Sequence, residues 1–251
     1  MSKKVKSILV SQPKPASEKS PYFDLAERYN LKIDFRSFIH VEGISVQEFR
    51  QSKIDLSKFT ALIFTSRTAI DHYFRIAEEM RFTVPDDMKY FCVSESTAFY
   101  LQKYIVYRKR KVFYGKGSFD DLVKLTIKHK SENFLIPLSD IHKQSIPKKL
   151  DEAKIKYTKA IMYQTVLSDL SDLADIKYDI LVFFSPSGIK SLMKNFPDFE
   201  QNETLIAAFG PSTAKAVEDA GLRLDIKAPH PKAPSMTMVL EQYVKEANKR
   251  K

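Results

Sequence analysis

Short apolar runs alternate with amphipathic segments along most of this chain. The runs have the length of strands, and apolar residues recur between them at helical spacing, which is typical of βα units and parallel sheets. The predicted strands are Ser7–Val10, Lys32–Phe38, Ala61–Phe64, Tyr90–Val93, Lys111–Phe113, Phe134–Pro137, Tyr157–Tyr163, Ile180–Phe184, Leu205–Phe209 and Arg223–Ile226. The predicted helices are Pro21–Tyr29, Ala69–Met80, Ser96–Lys103, Phe119–Lys128, Ser187–Phe196, Thr213–Ala220 and Met236–Ala247. Gly221 follows one of these helices and predicts its C-terminus.

The two halves of the chain contain similar patterns. Ala61–Ser66 leads into a helix, and Ser94–Ala98 follows the next strand. In the other half, Leu181–Gly188 and then Gly210–Ala214 occupy the same places. The repetition predicts an α/β protein with two doubly wound parallel-sheet domains. Chance similarity between generic βα units is the alternative.

Turns that contain hydroxyl groups follow six of the predicted strands. Such turns lie at the carboxyl ends of strands, where open parallel sheets bind ligands, and helix N-termini favour anions. A serine or threonine in this position can also be an ordinary helix N-cap. The turns are Ser11–Pro13, Thr65-Ser66, Ser94–Thr97, Ser139-Asp140, Ser185–Ser187 and Ser212-Thr213. Together they favour a large anionic ligand that is contacted at many points.

The net charge changes this picture only slightly. The 251 residues carry a net charge of +10, and basic residues are concentrated in Arg108–Lys111 and Lys249–Lys251. A basic surface attracts nucleic acid and polycarboxylate metabolites equally well. The Arg108–Lys111 run therefore leaves a nucleic-acid binder as a weak alternative, since no interleaved aromatic platform or groove-reading helix supports it.

Composition excludes several classes of protein. The single cysteine, Cys92, excludes an intrachain disulfide and a cysteine-based zinc cluster, and its apolar surroundings predict a buried position. No apolar run approaches the ~20 residues of a membrane helix. Ile8–Val10, which follows the first lysines, is much shorter than the core of a signal peptide. We therefore expect a cytoplasmic protein with no membrane partner.

The common catalytic motifs are missing from the sequence. None of the six glycines has the spacing of a phosphate-binding loop, and there is neither an HExxH nor a GxSxG motif. The five histidines are scattered, with no pair at metal-ligand spacing, and are interpreted as surface or second-layer residues. Lys116–Asp120 is another polar turn before a helix. Tyr163 ends a predicted strand, where a tyrosine either fills the core or presents its phenol to a cleft.

Several motifs together resemble those of the uroporphyrinogen-III synthases. The resemblance is most specific in the C-terminal half and extends over nearly the whole chain. The motifs that carry it are Phe183–Gly188, Ala207–Ala214, Gly221-Leu222 and Ala228–Pro231, together with Tyr163–Val166 and, in the first half, Phe64–Ser66 with Ala69.

This resemblance implies two α/β domains joined by a two-strand linker, with the ligand cleft between them. Residues 1–38 and 166–251 would form a discontinuous first domain, and residues 42–161 an inserted second domain. The linkers would lie near 37–43 and 160–167, which places Tyr163 beside one of them.

The resemblance also implies an enzyme without a cofactor or metal, acting as a monomer on a small molecule and not on nucleic acid. Its substrate would be hydroxymethylbilane, a linear tetrapyrrole with an acetate and a propionate on each ring. Loss of water would give an azafulvene, and a spiro intermediate would then re-close with ring D inverted, giving uroporphyrinogen III for haem synthesis. The enzyme would act mainly by orienting the chain.

Site residues follow from the same resemblance. Tyr163 would be the catalytic general acid. Substrate would be bound by Ser66, Ser118, Ser139, Ser185, Ser187, Ser212 and Thr213. Gln12 and Ser94 depart from the family pattern, which has arginine and glycine at these places in many members. The departures support one alternative, a non-catalytic tetrapyrrole- or anion-binding regulator of the same fold.

Overall fold

Two compact units make up the structure. The structure, a computed structural model, describes residues 4–174 and 177–249. Unit 1 comprises Met1–His40 and Val166–Lys251, and unit 2 comprises Val41–Thr165. The chain therefore enters unit 2 after His40 and leaves it after Thr165. Whether each unit is an independently folding domain with the boundaries inferred from the sequence stays a prediction.

Unit 1 contains a five-stranded sheet in the order β11-β10-β9-β1-β2, and each neighbouring pair is parallel. From β1 the chain continues to β2 on one side of the sheet, and from β9 it continues to β10 and β11 on the other side. The strand order therefore reverses between β1 and β9, as in other doubly wound sheets. The elements of unit 1 are β1 Ser7–Val10, α1 Pro21–Tyr29, β2 Lys32–Phe35, β9 Ile180–Phe183, α7 Pro186–Asn195, β10 Leu205–Phe209, α8 Pro211–Asp219, β11 Ile226–Ala228 and α9 Met236–Lys249.

Unit 2 is built on a six-stranded sheet in the order β3-β8-β7-β4-β5-β6. The pairs from β8 to β6 are parallel. In this sheet the strand order reverses between β4 and β7. Its elements are β3 Ile39–Gly43, α2 Val46–Gln51, β4 Ala61–Phe64, α3 Arg67–Glu79, β5 Lys89–Cys92, α4 Glu95–Tyr100, β6 Val112–Tyr114, α5 Phe119–Ile127, β7 Phe134–Ser139, α6 Ser145–Glu152 and β8 Tyr157–Leu167.

Both faces of each sheet are covered by helices. In β4, Leu62 and Phe64 pack into one apolar cluster, while Ala61 and Ile63 pack into another on the opposite face. The β9 strand divides its residues between two clusters of unit 1 in the same alternating way. Strands buried on both faces need uninterrupted apolar runs, which explains why these segments were visible in the sequence. The prediction of doubly wound parallel sheets is confirmed.

Side-chain caps fix where several helices begin. Ser20 precedes α1, whose first residue is Pro21, and its hydroxyl accepts a hydrogen bond from the N–H of Tyr22. Gly221 follows α8 with φ +72°, and the N–H of Leu222 bonds to the carbonyl of Val217, as a glycine C-terminus requires. The predicted end of this helix is confirmed.

Some of the predicted elements are wrong. The predicted strand Lys32–Phe38 is shorter than predicted, because β2 ends at Phe35. The next strand, β3, begins at Ile39, beyond the predicted segment, and belongs to the other sheet. Tyr163 does not end a strand, since β8 continues to Leu167. The last strand of unit 1 begins at Ile226, where the prediction had it end. Cys92 is buried, as expected.

Candidate active site

The reversal point of the unit 2 sheet brings together three of the predicted site residues. Ser66 follows β4, Ser139 ends β7, and Tyr163 lies opposite Ser139 on β8. At this point the chain leaves two neighbouring parallel strands towards opposite sides of the sheet, and a crevice forms at their carboxyl ends. Open parallel sheets bind ligands in such a crevice. Ser66, Ser139 and Tyr163 therefore line one edge of unit 2.

Tyr163 is held between its own strand and helix α3. Its side chain is 8% exposed, and its ring stacks on the imidazole of His72, with 5.1 Å between ring centroids and 17° between planes. Burial raises the pKa of the phenol above its ordinary value of 10.0, and a hydrogen bond with Ser66 offsets part of this rise. The phenol is therefore neutral at physiological pH and able to donate a proton or a hydrogen bond.

Ser66 has a second contact that fixes its hydroxyl. The residue is the N-cap of α3, and its Oγ accepts a hydrogen bond from the N–H of Ala69 at 3.1 Å. This is the ordinary capping geometry. Ser66 thus places the N-terminus of a 13-residue helix close to the phenol of Tyr163.

The turn after β7 is organised by Asp140. One of its carboxylate oxygens accepts hydrogen bonds from the Ser139 hydroxyl at 2.7 Å and from the Thr165 N–H at 3.0 Å. Partial burial works against the charged form, but these hydrogen bonds outweigh it and hold the pKa of Asp140 below 3.8. The Asp140 N–H in turn bonds to the carbonyl of Tyr163 at 3.1 Å, so the turn is tied to the strand that carries the phenol.

Ser118 lies apart from this group. It caps α5 by accepting the N–H of Asp121 at 3.2 Å and donates to the carboxylate of the same residue at 2.8 Å. The preceding strand, β6, is the edge strand and is separated from β4 by β5. Tyr163 is on β8, two strands beyond β4, so four strand spacings of roughly 19 Å separate β6 from β8 and Ser118 is not in contact with Tyr163.

The corresponding reversal point of unit 1 carries Ser185 and Ser187. Ser185 caps α7 through the N–H of Gly188 at 3.3 Å, and Ser187 is half-buried in the first turn of the same helix. A Cβ at Gly188 would lie 3.8 Å from both the Ser185 Oγ and the Oγ of Ser11, which follows β1. The absence of a side chain at Gly188 therefore leaves room between two hydroxyl groups and a helix N-terminus.

Ser212 and Thr213 are in the first turn of α8. Gly210 occupies the N-cap position with φ +86°, so no side chain caps this helix, and Pro211 follows. Ser212 is exposed, whereas the side chain of Thr213 is only 1% exposed and faces the interior of unit 1. The backbone at Ser212 offers the more accessible contact for an anion.

Two histidines and an arginine near these turns were not identified from the sequence. His72 and Arg75 lie on α3, one turn apart, and contact Tyr163 directly or through each other. His142 follows β7; its Nδ1 is 2.9 Å from the Ser139 carbonyl, and its buried Nε2 has no hydrogen-bond partner among the described residues. The spacing of His72 and Arg75 was the only available signal, and it is common in helices.

A cavity in unit 1 does not coincide with the predicted site. About 890 Å³ in volume, it lies in unit 1 towards the amino ends of β9 and β10. Apolar side chains such as those of Phe38 and Leu181 line it together with polar ones such as those of Asp198 and Gln201, and none of the predicted site residues does. The carboxyl ends of the strands remain the candidate site, because open parallel sheets bind ligands there.

Residues 4–174 and 177–249 contain neither a metal-binding cluster nor a membrane-spanning helix. No group of three or more metal-binding side chains is close enough to hold an ion there. In the same residues, every helix is too short or too polar to cross a membrane.

The two doubly wound sheets and the polar turns at their carboxyl ends define an α/β protein of two units. A sequence model described as uroporphyrinogen-III synthase HemD matches residues 22–238. The chain belongs to the uroporphyrinogen-III synthase family.

Individual relatives agree with this assignment. A uroporphyrinogen-III synthase from Chlorobaculum parvum is 24% identical over 257 residues, which cover 96% of this chain and all of the relative. Among solved structures, the uroporphyrinogen-III synthetase of Helicobacter pylori aligns with a TM-score of 0.61 at 19% identity, covering 96% of this chain and 99% of that one. A mutant Thermus thermophilus uroporphyrinogen III synthase aligns with a TM-score of 0.52 at 13% identity, over 98% of this chain and all of that one. Both structures support the fold.

Proposed function

We propose that this protein converts hydroxymethylbilane to uroporphyrinogen III, with loss of water and inversion of ring D, in tetrapyrrole biosynthesis. The observation that carries the proposal is the family match over residues 22–238. The geometry of unit 2 supports it, because a neutral phenol lies among hydroxyl-bearing turns at the edge where a parallel sheet binds ligands.

Substrate binding would rely on helix N-termini more than on ion pairs with lysine or arginine side chains. The substrate is a polycarboxylate, and carboxylates are stabilised by unpaired backbone N–H groups and by the helix dipole. Helices α3, α5, α7 and α8 each begin at a predicted binding turn and have at least nine residues. The net charge of +10 would attract such a substrate over a distance.

Tyr163 would act at the step in which the hydroxyl group leaves. A proton from the phenol would convert the hydroxyl into a departing water, while the pyrrole electrons form an azafulvenium ion as the carbon–oxygen bond breaks. Return of the pyrrole N–H proton to the phenolate would then give the azafulvene and restore the phenol. The raised pKa keeps the phenol protonated for this purpose. Orientation of the tetrapyrrole would then decide which carbon attacks.

The remaining features of the proposal concern context. The protein would act as a monomer in the cytoplasm, without nucleic acid and without a cofactor. Residues 1–38 with 166–251, and residues 42–161, would be two domains.

A coupled assay tests the proposal directly. Hydroxymethylbilane is generated by its own synthase, this protein is added without metal or cofactor, and the oxidised uroporphyrin isomers are separated. We expect isomer III in place of isomer I, which forms spontaneously. Isomer I alone, from protein shown to be folded by circular dichroism, would contradict the proposed synthase activity. It would favour a binding protein that regulates tetrapyrrole synthesis.

A further inference from the structure

His72 packs on one face of the Tyr163 ring. The two rings are nearly parallel, at 17°, with centroids 5.1 Å apart. Stacked aromatic rings restrict each other's rotation and exclude water from the shared face. The orientation of the phenol therefore depends on the position of the imidazole.

Arg75 fixes the imidazole in turn. Its Nε donates to the Nδ1 of His72 at 3.3 Å. An arginine can only donate, so Nδ1 must be the acceptor and the ring proton must be on Nε2. Burial, followed by the charge of Arg75, lowers the pKa of His72 below 6.5, and Asp71 opposes this only in part. The ring that stacks on the phenol is therefore neutral.

The guanidinium is itself held by the backbone of unit 2. One nitrogen, Nη2, donates to the carbonyl of Ile44 at 2.7 Å and reaches the carbonyl of Met162 at 3.4 Å, and Nη1 bonds to Glu79 at 2.7 Å. Met162 precedes the tyrosine on β8. Arg75 thus connects α3 to the segment that carries the phenol.

Gly43 makes this arrangement possible. A Cβ at this position would lie 2.6 Å from the Nη2 of Arg75 and 2.8 Å from the Nδ1 of His72. Any side chain there would displace the pair, because such distances are shorter than atoms tolerate. The strand β3 therefore supplies a flat backbone surface against which the pair packs.

We infer that His72 and Arg75 are positioning residues for Tyr163, and that they hold its phenol at the angle that proton donation requires. The inference rests on the proposed function, in which the phenol donates to the leaving hydroxyl. Neither residue needs to contact the substrate. A 1 Å displacement of a reacting group can cost on the order of 100-fold in rate, so loss of this support should be measurable.

The test compares His72→Ala, His72→Phe and Gly43→Ala with Tyr163→Phe in the isomer III assay. We expect His72→Ala and Gly43→Ala to lower kcat on the order of 10-fold, with KM changed less than about twofold. His72→Phe keeps a stacked ring and should recover kcat to within about threefold of the wild type. His129→Ala is the matched control, because His129 also packs on aromatic rings of unit 2, those of Phe91 and Phe113. It should keep the wild-type kcat.

A double substitution separates positioning from general destabilisation. If His72 acts through the phenol, adding His72→Ala to Tyr163→Phe should cost almost nothing more. An equal 10-fold loss in both backgrounds, or a wild-type kcat in His72→Ala, would overturn the inference.

A spectroscopic measurement tests the role of His72 without an activity assay. The chain has 12 tyrosines, which are labelled with ¹³C at Cζ for NMR. The signal of Tyr163 is identified as the one that is missing from the spectrum of Tyr163→Phe. In His72→Ala this signal should titrate at a lower pKa than in the wild type, since water reaches the ring. An unchanged titration would overturn the inference. If the wild type forms no isomer III, the proposed function fails, and the titration alone then decides whether His72 positions the phenol.

Discussion

Gly188→Ala is the substitution that most directly tests the crevice of unit 1. A methyl group at this position would lie 3.8 Å from the hydroxyl oxygens of Ser11 and Ser185, and 3.2 Å from the Cδ1 of Phe183. It would occupy the space between the two hydroxyls at the N-terminus of α7. No polar group of the site would be removed.

The effects on folding should nearly cancel. Alanine gains about 1 kcal/mol over glycine within a helix. The Phe183 ring must move by a few tenths of an ångström, and overpacking of this kind costs roughly 1 kcal/mol or more. The melting temperature should therefore change by only a few degrees.

The effect on activity should be larger if a substrate carboxylate binds in the crevice. A hydrogen bond to a charged group contributes about 1.5–3 kcal/mol. Its loss corresponds to a fall in kcat/KM on the order of 10-fold or more.

The assay measures kcat/KM for isomer III together with the melting temperature. Val244→Ala is the control, since it opens a cavity in the apolar core of the same unit, where α9 packs, and should cost about 2 kcal/mol of stability. Val244 is not a candidate site residue. We expect it to keep kcat/KM. If Gly188→Ala also keeps kcat/KM within twofold of the wild type, the crevice does not bind a carboxylate and the reasoning is wrong.

Three further outcomes follow from the described contacts. Tyr163→Phe should lower kcat on the order of 100-fold while the melting temperature changes little, because only the hydroxyl is lost; a kcat equal to that of the wild type would exclude the general-acid role. Ser185→Ala should lower the free energy of unfolding by about 1 kcal/mol through loss of the α7 cap, and kcat/KM by less than Gly188→Ala does; chemical denaturation and kinetics measure the two effects, and an unchanged stability would contradict the cap. Asp140→Asn should destabilise the protein at neutral pH but not in acid. The folded-state pKa of Asp140 lies below 3.8, so its charged form stabilises the fold above that pH and loses this effect as the pH falls through the folded pKa; a melting-temperature difference from the wild type that persists at about pH 2 would refute this explanation.

The strands buried on both faces were the easiest elements to predict. Ala61–Phe64 and Leu205–Phe209 have the predicted bounds, because a strand covered on both faces needs an uninterrupted apolar run. Helix α1 was also predicted with its bounds, since Ser20 and Pro21 mark its start. β3 was missed because four of its five residues are exposed and its sequence, Ile-His-Val-Glu-Gly, contains no apolar run.

Two short helices of unit 2 were also missed. α2 spans only six residues, and α6 carries Pro147 in its first turn, which weakens a periodic signal. Their positions depend on packing against neighbours that are distant in sequence.

The candidate site was predictable only as a set of turns. Ser66, Ser139 and Ser185 follow apolar strands, so their place at the carboxyl ends could be inferred. The contact between His72 and Tyr163 could not, because it joins a helix to a strand far along the chain and depends on the order of strands in the sheet. Burial of Thr213 was equally hidden, since it depends on which face α8 turns towards the core.

The strand order of unit 1 has a consequence for synthesis of the protein. β1 pairs with β9, and the whole of unit 2 lies between them in sequence. During translation, β1 and β2 leave the ribosome first and must wait for their central partner, at about 5–20 residues per second. Unit 2 is continuous and can be completed earlier. We therefore expect the nascent chain to carry a folded inner unit, preceded by an apolar strand, β1, that lacks its partner β9. Chaperones would bind at the N-terminus, and a protease would cut on either side of unit 2.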